Sequence, residues 1–244
     1  MNDFFDEKQW SEIIKKPNWY FTIIPELEEI KKKLDNASKD KIESYKEAVY
    51  SFFERHLKEG TLALGNQIGN WDLERKPIDT IIIHHTKNPP GMSLERLSAM
   101  ELVRLYARYY FDPKHPTDFH IKSQPISSGH IRDGRQSFLP YHWFIRNGGN
   151  IERLLEDNQI GWQAGDWEVN CRSVAICIDD DLSISEPTDV ILEAVAELIK
   201  DNYSNVPREN ILGHREVNLK TECPGNLFLG PNGWKDKFLK ILEE

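Results

Sequence analysis

Cysteine is scarce in this chain: its 244 residues hold three, Cys171, Cys177 and Cys223. They form an odd set without the spacing of a disulfide scaffold, so a stapled secreted fold is excluded. A reducing compartment or a metal site remains as the reading of their use. Positive charge is also in deficit, with 31 Lys and Arg against 40 Asp and Glu and a formal net charge of -9. Such a balance argues against a protein that lives on nucleic acid, whose phosphates reward a basic surface. It also argues against unaided adsorption to anionic membranes. No uncharged apolar run approaches the roughly 18 residues that a membrane span needs. The opening segment, Met1 to Glu7, is acidic where a secretory signal is basic and then apolar, which predicts a chain that is cytoplasmic as synthesised. Internal repeats and low-complexity segments are missing too.

What is present suits a soluble domain. Hydrophobic residues make up 39%, aromatics 11% and charged residues 29%, enough to bury a sizeable core without disorder. Residues 1–75 read as a helical region. Leu27, Ile30 and Leu34 share one helix face, and Ile42, Tyr45, Val49, Phe52 and Leu57 another, with Asn36-Ala37-Ser38 as the turn between them. The mixed charges there read as a solvated surface. Gly65 to Asn70 reads as a linker. From Pro77 the texture changes. Ile78 to His84 is a β-branched run expected as a buried central strand, and Ser93 to Tyr110 as a helix. Residues 112–138, rich in Pro and Gly, read as a long irregular loop. Strands are expected at Tyr141 to Arg146, Ile151 to Leu155, Ser173 to Ile178 and Ile211 to Gly213, with a hairpin turn at Asn147 to Asn150. Helices are expected at Thr188 to Asn202 and Trp234 to Leu242. This alternation predicts an α/β fold, a central mixed β-sheet flanked by helices, with an N-terminal helical extension. The expected boundaries are residues 1–75 for the helical region and 76–244 for the α/β domain.

Three segments concentrate metal-capable side chains at strand ends: His84-His85-Thr86, Gly213-His214-Arg215 and Lys220-Thr221-Glu222-Cys223-Pro224-Gly225. Zinc favours imidazole and thiolate, and three protein ligands with an open fourth position mark a catalytic site. Paired ligands of the C-x-x-C kind, usual in closed structural sites, do not occur. The same residues also fit a bland reading, in which each His is a core or surface residue and Cys223 a small buried hydrophobe.

Read in order, Ile81-Ile82-Ile83-His84-His85-Thr86, Tyr141-His142-Trp143-Phe144-Ile145, Gly161-Trp162-Gln163-Ala164-Gly165, Asn170 with Ser173-Val174-Ala175-Ile176, and Gly213-His214-Arg215-Glu216-Val217 with Thr221-Glu222-Cys223-Pro224-Gly225 form a series. That series resembles the type-2 N-acetylmuramoyl-L-alanine amidases, which share a fold with peptidoglycan recognition proteins and phage lysozyme-amidases. The resemblance spans about residues 77–230 and leaves the N-terminal region uncovered. It implies that His84, His214 and Cys223 hold one zinc ion per chain, with His85 in a neighbouring role. It also implies that Tyr141 points its hydroxyl into the site, and that Thr221 or the adjacent Lys220 assists catalysis. Trp162, Gln163, Asn170 and Arg215, with His85, are then candidates for contact with a glycopeptide.

Two departures stand out. Some relatives carry a glutamate as general base where this chain has Cys177, and histidine is usual where it has Gln163, which cannot titrate near neutrality. The implied activity is zinc-dependent hydrolysis of the amide between the N-acetylmuramic acid lactyl group and L-alanine, in peptidoglycan or soluble muropeptides. A non-catalytic peptidoglycan-binding or sensing module on the same fold is the alternative. Relatives of that kind commonly replace the cysteine, which favours the enzyme here. The stretch from Lys87 to Leu139, with His115, His120 and His130, is longer than the family typically carries before the tyrosine. These three read as loop histidines.

Overall fold

The computed structural model describes residues 3–66, 70–112, 121, 123–231 and 233–243. In chain order its elements are α1 (Glu7–Ile13), α2 (Tyr20–Lys33), α3 (Lys39–Lys58), β1 (Thr80–His85) and α4 (Leu94–Glu101). A π-helical turn (Leu102–Tyr106) leads into α5 (Ala107–Phe111), followed by β2 (Ile131–Arg132), β3 (Arg135–Gln136), β4 (Trp143–Ile145) and β5 (Ile151–Arg153). Then come α6 (Trp167–Arg172), β6 (Ser173–Ile178), α7 (Asp189–Tyr203), β7 (Ile211–Gly213), α8 (His214–Val217) and α9 (Trp234–Glu243). Contacts divide the chain into two compact units that do not follow chain order. One comprises 1–70 with 93–138, the other 71–92 with 139–244. The stretch 93–138 therefore clusters with the N-terminal helices. Among the described residues no helix is long and apolar enough to cross a membrane.

In the helical unit, Asp6, Ser38 and Ser93 cap α1, α3 and α4 by accepting from backbone N–H groups three residues on. Its interior is aromatic: Trp10, Trp19, Tyr20, Phe53 and Tyr110 are essentially inaccessible. The helix expected from Ser93 does run to Phe111, but a π turn interrupts it between α4 and α5. The expected irregular loop contains the β2–β3 hairpin, whose two-residue strands are too short to leave a periodicity in the sequence. His115 and His120 lie outside the described residues, as do 67–69 of the expected linker, whereas His130 is buried.

The other unit is built on a five-stranded sheet in the order β5-β4-β6-β1-β7. Strands β4, β6, β1 and β7 run parallel and β5 pairs antiparallel with β4, so the sheet is mixed as expected. Strands β4 and β5 are shorter than their apolar runs suggested, and Tyr141 precedes β4 instead of lying in it. Alternation along β1 decides what faces what. Ile81 and Ile83 join Val174, Ile176 and Ile178 of β6 in a core covered by α7 and α9. Each such fully buried side chain contributes about 1.5–3 kcal/mol. His84 therefore points to the opposite face, at the carboxyl end of β1, with β6 residue Cys177 as its register partner. His214 follows directly on the carboxyl end of β7, whose Gly213 pairs with Ile83. The carboxyl ends of parallel strands are where open α/β sheets place their ligands.

Candidate metal and substrate site

Three side chains from distant parts of the chain meet at these strand ends. One ligand-capable atom from each of His84, His214 and Cys223 lies within 4.8 Å of the others. The Cys223 Sγ is 3.6 Å from His84 Nδ1, and the two imidazole rings are 4.6 Å apart. Gly213 makes the approach of the third segment possible. A Cβ there would come within 2.4 Å of the Phe228 ring and 2.8 Å of Pro224 Cδ, so glycine lets both the ring and the Cys223-Pro224-Gly225 turn close against β7. The Gly213 N–H donates to Glu216 Oε2 at 2.7 Å, and Lys235 holds that carboxylate at 2.8 and 2.9 Å, which fixes the start of α8 where His214 sits.

Each histidine has its far nitrogen engaged by an oxygen. His84 Nε2 donates to Gln163 Oε1 at 2.6 Å, and His214 Nε2 donates to the Ala164 carbonyl at 3.2 Å. Because both oxygens only accept, the hydrogens reside on Nε2 and the Nδ1 lone pairs are left for the site. Burial, with the neighbouring His214 ring, keeps His84 well below the usual histidine range, and burial lowers His214 to about 4. Both are neutral at physiological pH, the form in which imidazole binds a metal. Two neutral imidazoles, one thiol and acceptors on the far nitrogens are the donor set and outer shell of a three-ligand zinc site. The residues present fit that ion.

The remaining candidates divide clearly. Tyr141 is buried with its ring 5.0 Å from that of His84. Thr221 Oγ1 accepts from the Cys223 N–H at 3.2 Å, so this side chain turns toward the ligand turn. Lys220 is exposed and its backbone N–H is tied to Asn218 Oδ1. His85 points away from His84, and its Nδ1 accepts from the Leu182 N–H at 3.0 Å. Gln163 is buried with both ends of its amide engaged, the second donating to Ser173 Oγ at 2.9 Å. Asn170 is buried and its Oδ1 accepts from two backbone N–H groups. Trp162 packs against Trp71 and Trp167, while half-buried Trp167 donates its indole N–H to Glu74. Arg215 donates to the carbonyls of Cys223, from its backbone, and Gly225, from its guanidinium. It thereby ties down the Cys-Pro-Gly turn. Cys177 is fully buried in β6. Sequence reasoning missed the Ala164 carbonyl and the Glu216–Lys235 pair. A backbone acceptor has no residue signature, and the acid and amine lie 19 positions apart.

No curated protein matches the sequence. Solved structures that resemble it include the N-acetylmuramoyl-L-alanine amidase LysC from Clostridium intestinale, at 21% identity and a TM-score of 0.46, covering 70% of this chain and 87% of that one. An endolysin from a Thermus scotoductus bacteriophage matches at 19% identity and a TM-score of 0.43, covering 67% and 85%. Drosophila peptidoglycan recognition protein SD matches at 19% and 0.42, covering 70% and 89%. The sequence profile described as N-acetylmuramoyl-L-alanine amidase matches residues 74–226, a span running from before β1 to just beyond Cys223. All three converging side chains lie inside that span, and the chain belongs to the N-acetylmuramoyl-L-alanine amidase family.

Proposed function

We propose that this chain is a zinc-dependent N-acetylmuramoyl-L-alanine amidase, cutting between the lactyl group of N-acetylmuramic acid and the L-alanine of the stem peptide. The observation that carries the reading is the convergence of His84, His214 and Cys223, with the Nε2 of each histidine engaged by an oxygen and His84 Nδ1 3.6 Å from the Cys223 sulfur. These three residues would hold the ion, leaving a fourth position open. A zinc ion so bound supplies Lewis acidity toward the scissile carbonyl and lowers the pKa of water to about 7.

The chain's own residues account for the rest. Tyr141, buried beside His84, brings a phenol donor to the oxygen that gains charge as the amide carbon becomes tetrahedral. Thr221 receives a hydrogen bond from the Cys223 N–H and keeps its own hydroxyl proton to donate, so it suits this role better than exposed Lys220. One well-placed donor of this kind is worth roughly 2.7–4 kcal/mol in the transition state. Cys223 would serve as ligand and not as nucleophile, since binding the cation would draw off the negative charge on which thiolate attack depends. Half-buried Trp167 offers a ring face to a sugar.

The test is to incubate the zinc-loaded protein with purified peptidoglycan and with soluble muropeptides, and to analyse products by mass spectrometry beside Cys223→Ala. Free stem peptides with a new L-alanine amine, from the wild type alone, are the expected result. Cleavage of soluble fragments only would assign a recycling role, and cleavage of intact wall a lytic one. If the protein binds zinc and sediments with peptidoglycan but cuts neither substrate, the non-catalytic binding reading replaces the enzyme.

A further inference from the structure

The acceptors that orient the two metal-facing histidines are consecutive residues. Gln163 serves His84 through its side chain, and Ala164 serves His214 through its carbonyl. The Gly161–Gly165 segment that carries them belongs to neither helix nor strand, so no regular hydrogen-bond ladder holds it. Within it the Gln163 N–H turns back to the Gly161 carbonyl at 3.1 Å, and from outside it is held by Asn170. The Oδ1 of this buried residue accepts from the Gln163 N–H at 3.1 Å and from the Ala164 N–H at 2.8 Å. Asn170 itself stands on α6, a short helix secured at both ends. Asp166 caps its start by accepting from the Val169 N–H at 3.0 Å. At its close, the Arg75 guanidinium donates to the carbonyls of Asn170, Cys171 and Ser173 at 3.1, 3.2 and 2.8 Å. Ser173 is also the partner of the Gln163 amide.

We infer that Asn170 is a positioning residue for both histidines of the metal set at once, acting through the backbone of Gln163 and Ala164. This rests on the metal reading above and gives Asn170 a task other than contact with the glycopeptide. A single oxygen fixes two successive N–H groups. With both N–H groups held, the Gln163 backbone from which the amide reaches His84 is placed, and so is the Ala164 backbone, whose carbonyl lies one ψ rotation further on and reaches His214. Outer partners of this kind typically govern metal affinity by about 10–100-fold. Here one side chain serves two ligands.

The experiment compares wild type, Asn170→Ala, Asn170→Asp and Gln163→Leu, as full-length protein. Zinc affinity is measured by competition with a chromophoric chelator. The protonated nitrogen of each imidazole is read from 15N–1H spectra of the metal-free protein, and thermal midpoints of the metal-free proteins serve as the control. Asn170→Ala should lose about 10–100-fold in zinc affinity, and the Nε2–H assignment of both His84 and His214 should become mixed. Asn170→Asp keeps the accepting oxygen and should restore both readouts. Gln163→Leu should disturb His84 alone. If the Asn170→Ala protein is too unstable to measure, Asn170→Ser, whose side chain is one bond too short to supply the Oδ1, takes its place with the same expected losses and the same overturning result. Unchanged zinc affinity and unchanged tautomers in Asn170→Ala would overturn the inference, as would failure of Asn170→Asp to rescue them. A wild type that takes up no zinc would instead overturn the metal reading, and this inference with it.

Discussion

The two units of this chain are built from different materials. The helical unit fills its interior with rings: Trp10 stacks on Phe5 at 3.8 Å and meets Phe52 edge-on, and Trp19 lies against Phe53. The sheet unit packs its core mostly with isoleucine, valine, leucine and alanine from β1, β6 and α7, and its rings, Tyr203, Phe228, Trp234 and Phe238, are the minority there. Histidine shows the difference best. In the helical unit, His56 has hydroxyl partners, Thr61 at 2.6 Å and Ser11 at 3.4 Å. A hydroxyl can rotate to accept or to donate, so the ring can gain a proton without losing its contacts. In the sheet unit, His142 Nδ1 accepts from the Ala175 N–H at 3.1 Å and Nε2 donates to the Gln159 carbonyl at 3.0 Å. Protonation would set an N–H against an N–H. His56 thus meets side-chain groups that can turn, whereas His142 is bound on both nitrogens to backbone that cannot.

That contrast can be broken or sharpened by experiment. The largest effect belongs to Cys223→Ala, which removes one of the three proposed ligands. Zinc uptake measured by elemental analysis should be lost, and amide cleavage should fall by about a thousandfold or more, several kcal/mol of transition-state stabilisation. Next is the pH dependence carried by His142. Burial, then the charge of Arg75, lowers it to about 3. The unfolded chain takes up this proton near pH 6.5 and the folded chain resists until about 3. The stabilisation is complete above pH 6.5 and is lost as pH falls through that window, by of order 4 kcal/mol. Urea titrations of wild type and His142→Gln at pH 7 and pH 4.5 should show a smaller loss for the variant, and a His56→Gln variant should change the slope less. An equal change from both would break the comparison.

A buried ion pair gives the third test. Asp179 has no exposed surface, and it accepts from Arg146 at 2.8 Å and from the Gly91 N–H at 3.0 Å. Arg146→Met leaves that carboxylate inside without its cation, and equilibrium unfolding should show a loss of about 3–5 kcal/mol. In the helical unit, Lys46 and Glu43 form an exposed pair one turn apart on α3. Lys46→Ala should move stability by no more than about 0.5 kcal/mol. Arg96 with Glu54, at 19% and 15% side-chain exposure, is the pair in that unit nearest to the other type.

The sequence was legible where one physical signal dominated. Strands β1 and β6 are buried along their whole length and show as the runs Ile81 to Ile83 and Val174 to Ile178, and α7 shows its stripe over fifteen residues. Helix α6 was not foreseen, since six residues from Trp167 to Arg172 are too few for a period and only the Asp166 cap announces them. The hairpin at 131–136 exposes Ile131 instead of burying it, so its apolar residue carries no message about pairing. The order of motifs brought out His84, His214, Cys223 and Tyr141. Local sequence left Thr221 and Lys220 open, because neighbouring residues in a turn differ only in direction. The partners of Gln163 and Asn170 depend on tertiary placement, which residue type does not encode.

Strand β1 sits between β6 and β7, yet it leaves the ribosome long before either. At roughly 5–20 residues per second, several seconds of synthesis separate Thr80 from Ser173, and more pass before Cys223 emerges. Through that interval the six-residue strand, with Ile81, Ile82 and Ile83 at its centre, has neither of its lasting neighbours. A strand with neighbours on both sides in the finished protein is thus one that depends on protection while the chain is being made.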